Sequence, residues 1–423
     1  MVSVPQHGYN SSSWLSREIT AFTPSAPIDT MSLFRGRSLQ MRILVETVRQ
    51  VGQHAIIYGE RGVGKTSLVS VLFRVVGDAV RTRTTFARVN CDVEDTFESL
   101  WRKVFRELPV NERGQVTEMP RGFSEPASTL ADRLGANVSP DDIRRLSSCV
   151  DGHLIVIIDE FDQMTGNQEA VRLVANTIKT LSDRRAPVTL ILVGVADTVS
   201  QLISEHESVE RNLVQVKMPR MSDQEIGQII AEGLSSVNLT IAADQLEYVC
   251  SLAQGLPVAA HRLGLQLTYR MLESGRGQVT HADIANALDD VIDRMPESHS
   301  LDWRQAVDGS QVGTLYEKVL IAAALAPRGE QGWFHPSDLQ EALEVVSGDM
   351  VSRKGAYSQH LHRFATERGV VLDRSGSKGH WLFRFRNPSF QSYVVMRALS
   401  SGSITENIVA RFKRNLPAGS AFA

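Results

Sequence analysis

Nine consecutive residues, Gly59, Glu60, Arg61, Gly62, Val63, Gly64, Lys65, Thr66 and Ser67, fit the spacing G-x-x-x-x-G-K-[S/T] directly after an apolar run at 54–58. The spacing suits a phosphate cradle: the glycines let successive backbone N–H groups face an anion, the lysine reaches the β and γ oxygens, and the Thr66 hydroxyl completes a Mg2+ shell. An apolar helix starting near Thr66 would add its N-terminal dipole. A second apolar run, 153–158, ends in Asp159-Glu160-Phe161-Asp162. There Asp159 is placed to hold the Mg2+ shell from a strand tip, and Glu160 to polarise a water attacking a γ-phosphate. The sequence has no Asn-Lys-x-Asp element for guanine, so adenine is the expected base and ATP the expected ligand. No acceptor site or arginine cluster stands beside the loop to suggest a small-molecule kinase.

These residues need a scaffold that brings strand ends together. Runs at 54–58, 86–90, 154–158, 189–193 and 213–217 are β-rich and separated by segments long enough for helices, which predicts an α/β parallel sheet covered on both faces. A helix is expected over 39–51. The stretch 109–140 breaks into Pro, Gly, Ser and charge, as a surface insertion would. After Met221 the pattern turns helical at 225–234, 244–253, 257–272 and 281–292, with Asp223 and Thr280 placed to cap helices. Residues 296–310 read as a linker. Helices over 314–326, 336–345 and 357–368 then precede a hairpin at 370–374 and 381–386 and a last helix.

The composition is that of a globular chain of two to four domains: 423 residues, 42% hydrophobic and 22% charged. With 45 Lys and Arg against 48 Asp and Glu, the net charge is −3, so a surface for nucleic acid must be a local patch. Cys91, Cys149 and Cys250 lie far apart, which suits reduced thiols rather than a disulfide scaffold or zinc site. No apolar run reaches the roughly 20 residues of a membrane helix, and the opening residues lack a signal-peptide core. A cytoplasmic protein is expected, with residues 1–24 a mobile leader.

With these motifs the chain resembles the AAA+ superfamily, in the branch of origin-recognition initiators and the related STAND signalling NTPases. The resemblance covers 27–293 and extends in layout to about Leu399. The segment Pro27-Ile28-Asp29 through Leu33-Phe34-Arg35-Gly36-Arg37 resembles the family's pre-Walker region, which packs against adenine. The resemblance implies a three-layer αβα P-loop NTPase core with sheet order 5-1-4-3-2 over residues 25–220, a helical lid over 221–295, a winged-helix domain over 296–400 and a tail over 401–423.

It also implies roles for three further residues. Asp197, after the fourth strand, stands where the family carries a polar sensor, often Asn; capping the next helix is the other reading. Arg211 stands at the arginine-finger position, from which it would act on a neighbour's γ-phosphate, although the helix dipole alone would also favour an Arg there. Gly255-Leu256-Pro257 matches the STAND Gly-x-Pro that touches adenine, and is equally a helix-start signal. Arg262 lies later than a typical second sensor.

In 351–400 nine basic residues (Arg353, Lys354, Arg363, Arg368, Arg374, Lys378, Arg384, Arg386 and Arg397) oppose Glu367 and Asp373. On a winged helix such an excess suits duplex DNA, with Arg363, Lys378 and Arg384 the first contacts expected. A protein contact surface is the competing reading. His360 and His362, two apart on a helix, face different ways and are not a metal pair. Together these readings predict an ATP-hydrolysing switch, a homo-oligomer, that couples nucleotide state to DNA binding or assembly. The alternative is a STAND-like regulator of slow turnover whose C-terminal domain meets a protein effector.

Overall fold

The computed structural model describes residues 21–28, 34–79, 83–111, 115–117, 128–203, 209, 211–307, 315–347 and 357–413. The chain divides into two compact units, Ile28–Met218 and a second made of Met1–Pro27 with Pro219–Ala423.

In the first unit, α1 (Ser38–Arg49) leads to β1 (His54–Gly59), α2 (Lys65–Ala79), β2 (Thr84–Asn90), α3 (Phe97–Arg106), α4 (Pro140–Ser147), β3 (His153–Asp159), α5 (Gln168–Asp183), β4 (Val188–Val195), the one-turn α6 (Val199–Leu202) and β5 (Leu213–Lys217). All sheet pairings are parallel, in the order β2-β3-β4-β1-β5, which is the expected 5-1-4-3-2. The layers follow from alternation along the strands. Ala87, Val89, Leu154, Val156, Ile158, Leu190 and Leu192 join one core with Leu100, Trp101 and Val104 of α3 and Val174 and Ile178 of α5. Their neighbours Ile155, Ile157, Ile191 and Val193 are fully buried outside that core, and Phe86 stacks on Phe73 of α2 at 4.1 Å. Both faces are therefore covered, as a parallel sheet requires.

The stretch 109–140 is partly ordered: Pro109 bridges Thr129, Val110 bridges Val116, and Leu130–Arg133 forms one turn with Leu130 buried. Residues 112–114 and 118–127 lie outside the described residues.

The second unit begins its helical run with α7 (Asp223–Ser236), α8 (Ala243–Ala253), α9 (Pro257–Ser274) and α10 (His281–Asp293). Thr280 caps α10 as expected, but α7 is capped by Ser222 rather than Asp223. The Ser222 hydroxyl accepts the Glu225 N–H while Glu225 reaches back to the Ser222 N–H, a reciprocal box that fixes the helix start one residue earlier.

The stretch read as a linker is instead a helix, α11 (Glu297–Val307), burying His299, Trp303, Ala306 and Val307. Its first turn, Glu-Ser-His-Ser, is polar enough to hide the spacing, and Pro296 marks a helix start as readily as a loop. Helices α12 (Leu315–Leu325), α13 (Gln340–Ser347) and α14 (Ser358–Thr366) then precede the antiparallel hairpin β6 (Leu372–Ser375) and β7 (Leu382–Phe385). Phe334 adds one rung beside Phe383. This is the helix–helix–helix–hairpin order of a winged helix.

Beyond the hairpin, α15 (Pro388–Ser400) is followed by α16 (Glu406–Lys413), a helix inside the expected tail. Its Val409 and Phe412 are buried. At the other end Ala21 and Phe22, in the expected leader, are also buried. The Phe22 ring fills a slot between α7 and α9 where Cβ atoms on Gly233 and Gly264 would come within 2.3 and 2.2 Å of it. Single large apolar residues in polar stretches gave no periodicity to read. Residues 1–20 and 414–423 lie outside the described residues.

Candidate functional site

The P-loop runs from the tip of β1 into α2. Gly62 and Gly64 have φ of +83° and +94°, left-handed values that a side chain would strain. A Cβ at Gly59 would lie 2.4 Å from the Met218 carbonyl oxygen. Two segments brace the loop from outside. The buried Arg37 donates through Nη2 to the Val63 carbonyl at 3.1 Å, and the Ile28 N–H donates to the Ser67 hydroxyl at 3.2 Å. Both belong to the pre-Walker segment, of which 29–33 lie outside the described residues.

Lys65 is buried, its ammonium donating to the carbonyls of Gly59 at 3.0 Å and Glu60 at 2.8 Å. Burial lowers its pKa to about 8, against the attraction of Asp162, Asp159 and Glu60. A phosphate at the loop would add to these charges and raise the pKa again. Glu60 is itself buried, Arg61 is exposed, and Thr66 and Ser67 are half-buried.

The acidic turn stands at the end of β3, on the same edge of the sheet as the loop. Asp159 is buried, its Oδ1 accepting the Glu160 N–H at 2.9 Å. Glu160 is exposed, with φ +55°, an uncommon conformation for a residue with a side chain, held here by the turn. The oxygen donors of Thr66 and Asp159 suit a hard divalent cation such as Mg2+.

Two residues beyond the sequence reading belong to this edge. Arg88, on β2, donates to the Ser70 hydroxyl of α2 at 2.8 Å and to Asp159 Oδ2 at 2.9 Å. The signal was a lone charge inside an edge strand, visible only once β2 was set beside β3. Asp162 accepts the Val195 N–H at 2.8 Å. It lay within the acidic motif but had been given no task.

The expected residues outside the loop fall in different places. Asp197 follows β4, half-buried, with its N–H donating to Gln201 Oε1 at 2.7 Å. Thr198 occupies the N-cap position of α6, with no side-chain cap bond of its own. Arg211 precedes β5 at the opposite edge of the sheet, near Gln53, roughly 20 Å from the loop by the length of a six-residue strand. It is 71% exposed, with Asp183 Oδ1 at 3.8 Å. The preceding residues 204–208 and 210 lie outside the described residues. Pro257 opens α9 in the second unit.

The basic face of the hairpin is largely occupied from within. Arg384 bonds Asp373 at 3.1 Å and lies over the Trp333 ring at 4.5 Å. Arg363 donates to the Tyr316 hydroxyl and faces Glu367 at 3.8 Å. Arg374 covers Trp381 at 4.5 Å, and Arg386 approaches Asp373 at 3.6 Å. Lys378, in the turn, is exposed. Arg353 and Lys354 lie outside the described residues. His360 packs on Tyr316 and His362 on Trp381 and Phe383, so the two histidines do face apart. Cys91, Cys149 and Cys250 form no disulfide, and burial raises the Cys91 thiol to about 12. Among the described residues no helix is long and apolar enough to cross a membrane.

Residues 48–202 match the family model described as an AAA domain. No curated protein sequence matches the chain. Among solved structures, the ORC2 protein of Aeropyrum pernix, in its ADPNP-ADP complexes, superposes with TM-score 0.50 at 15% identity, covering 94% of this chain and 98% of that one. The ORC1 protein of the same organism, in complex with DNA, gives TM-score 0.47 at 13% identity over 93% and 97%. Residues 48–202 thus resemble an AAA domain, and the chain shares its fold with the ORC2 protein of Aeropyrum pernix.

Proposed function

We propose that this protein is an ATP-binding and hydrolysing switch whose nucleotide state governs its engagement with duplex DNA. The observation that carries the reading is the buried Lys65, held by Gly59 and Glu60 on the sheet edge where β3 presents Asp159 and Glu160. Such an edge recruits polyphosphate through its backbone donors and its ammonium. Thr66 and Asp159 would hold Mg2+, which supplies charge neutralisation at the β and γ oxygens. Glu160, exposed beside Asp159, orients and polarises the attacking water. Asp197 lies beyond the tip of β4, as a γ-phosphate sensor would.

Arg211 is too far along the sheet to serve its own loop, so its place in the reaction is on a neighbouring copy, and the active form is a homo-oligomer. The ORC1 protein of Aeropyrum pernix was solved with DNA; for this chain, DNA binding rests on the hairpin with its exposed Lys378, and a cytoplasmic location goes with that reading. A second reading has its own support. Arg363 and Arg384 already have partners inside the domain, which suits a protein-effector surface and a slow, STAND-like turnover.

Fluorescence anisotropy of a labelled duplex, with ATP or ADP and at low or physiological salt, separates the two. The switch predicts nucleotide-dependent, salt-sensitive binding that Lys378→Ala weakens. Absence of binding in either nucleotide state would leave the effector reading.

A further inference from the structure

Asp159 is assigned above to a divalent cation, yet one of its oxygens is already taken. Arg88 Nη2 stands 2.9 Å from Oδ2, and Arg88 Nη1 stands 2.8 Å from the Ser70 hydroxyl on α2. The geometry follows from register. Asn90 pairs with Asp159 across the parallel ladder, and Arg88, two residues earlier, presents its side chain to the same face. That is the face on which Phe86 meets α2. A single guanidinium therefore ties the acidic strand to the helix that springs from the phosphate loop.

The pair is unequal in its surroundings. The Asp159 side chain is 5% exposed and that of Arg88 26%. Arg88 lines an open cleft of about 460 Å³ with Val89, Asn90, Lys103, Arg106 and Glu107. Of the charged residues around the cleft, Lys103 is held by Asp92 and Asp95 at 2.6 Å, Arg106 is a like charge and Glu107 is the one carboxylate.

We propose that Arg88 is a positioning residue that gates the cation site, neutralising Asp159 when no divalent cation is present and releasing it when one is. The proposal rests on the nucleotide reading above. Two consequences follow from charge alone. With Arg88 in place, nucleotide can approach the loop without metal, because Asp159 does not face the phosphates as an uncompensated buried anion. With Arg88 gone, cation and nucleotide become more strongly coupled, since Lys65 is then the remaining positive charge acting on Asp159 until a cation binds.

The test is equilibrium titration of the full chain with a fluorescent ADP, in MgCl2 and in EDTA, for wild type, Arg88→Met and Arg88→Lys. The readout is the ratio of the two dissociation constants. For Arg88→Met the proposal expects metal-free affinity to fall about tenfold or more while affinity in Mg2+ changes less than about threefold, so the ratio rises. Arg88→Lys, which keeps the charge but loses the fork, should fall between. Equal loss in both conditions, or an unchanged ratio, would overturn the proposal and leave Arg88 as a brace for the sheet edge. If Arg88→Met fails to fold by circular dichroism, the ratio for Arg88→Lys decides. A wild type that binds no nucleotide in either buffer would defeat the nucleotide reading itself, a separate outcome.

Discussion

The Asp162 carboxylate accepts the Val195 backbone N–H at 2.8 Å, so the turn after β3 carries the tip of β4. The same carboxylate is the largest of the attractions on the Lys65 ammonium. Replacing it separates the two tasks. Asp162→Asn keeps an acceptor for Val195 but removes the charge, and should shift the pH profile of nucleotide binding to lower pH with little change in melting temperature. Asp162→Ala should in addition destabilise the fold by about 1–3 kcal/mol, the cost of leaving a backbone donor unmet. Thermal melts of the two variants beside wild type check this.

Lys65 itself predicts a pH dependence. Its pKa is lowered to about 8 by burial, and a bound polyphosphate would raise it again, so binding takes up a proton in the alkaline range. Nucleotide affinity should be flat below pH 7 and fall as pH rises through about 8, approaching tenfold per pH unit. Calorimetry in two buffers of different ionisation enthalpy at pH 8.5 should register the uptake. Lys65→Met should abolish the dependence along with most of the affinity.

The acid side is governed by histidine. His54 is fully buried with its pKa lowered to about 3, by burial first and then by His153, and its Nδ1 accepts the Leu190 N–H at 2.9 Å. In the unfolded chain the ring takes a proton near its ordinary pKa, so its contribution to stability is complete above that value and is lost as pH falls toward 3. Between pH 7 and 4.5 the loss from this residue is about 2–3 kcal/mol at roughly 1.4 kcal/mol per unit. Urea unfolding midpoints over that range should fall steeply for wild type and less for His54→Leu, even though the variant starts less stable.

The slot for Phe22 makes a packing prediction. A methyl group at Gly264 would collide with the ring at 2.2 Å, so Gly264→Ala and Phe22→Ala remove the same contact in opposite ways. Each should destabilise the second unit, by about 1–3 kcal/mol for the overpacked variant and about 3–5 kcal/mol for the truncation. The double variant should cost less than the sum. Additive losses would mean the ring and the glycine act independently.

Much of this site could be read from the chain because its geometry is local. The loop from Gly59 to Ser67 is one turn between a strand and a helix, and its spacing encodes backbone conformation directly. Asp159 and Glu160 were legible for the same reason, as polar residues ending an apolar run. Arg88 was not, because its partners Ser70 and Asp159 come from two other elements and meet it only through the β2–β3 register. Arg363 and Arg384 were read as open charge, and the aromatic groups they meet, Tyr316 and Trp333, lie 47 and 51 residues away in sequence. The α11 helix and the anchor at Phe22 were missed where a few buried residues sit among polar ones, because burial there is decided by the surface they meet and not by their own period.

The most direct test is steady-state ATP hydrolysis by wild type and by Glu160→Gln, each with and without duplex DNA at low and physiological salt. Turnover that DNA stimulates, salt suppresses and Glu160→Gln abolishes is the expected result. Tightly held nucleotide with negligible turnover and no response to DNA would contradict the DNA-coupled switch.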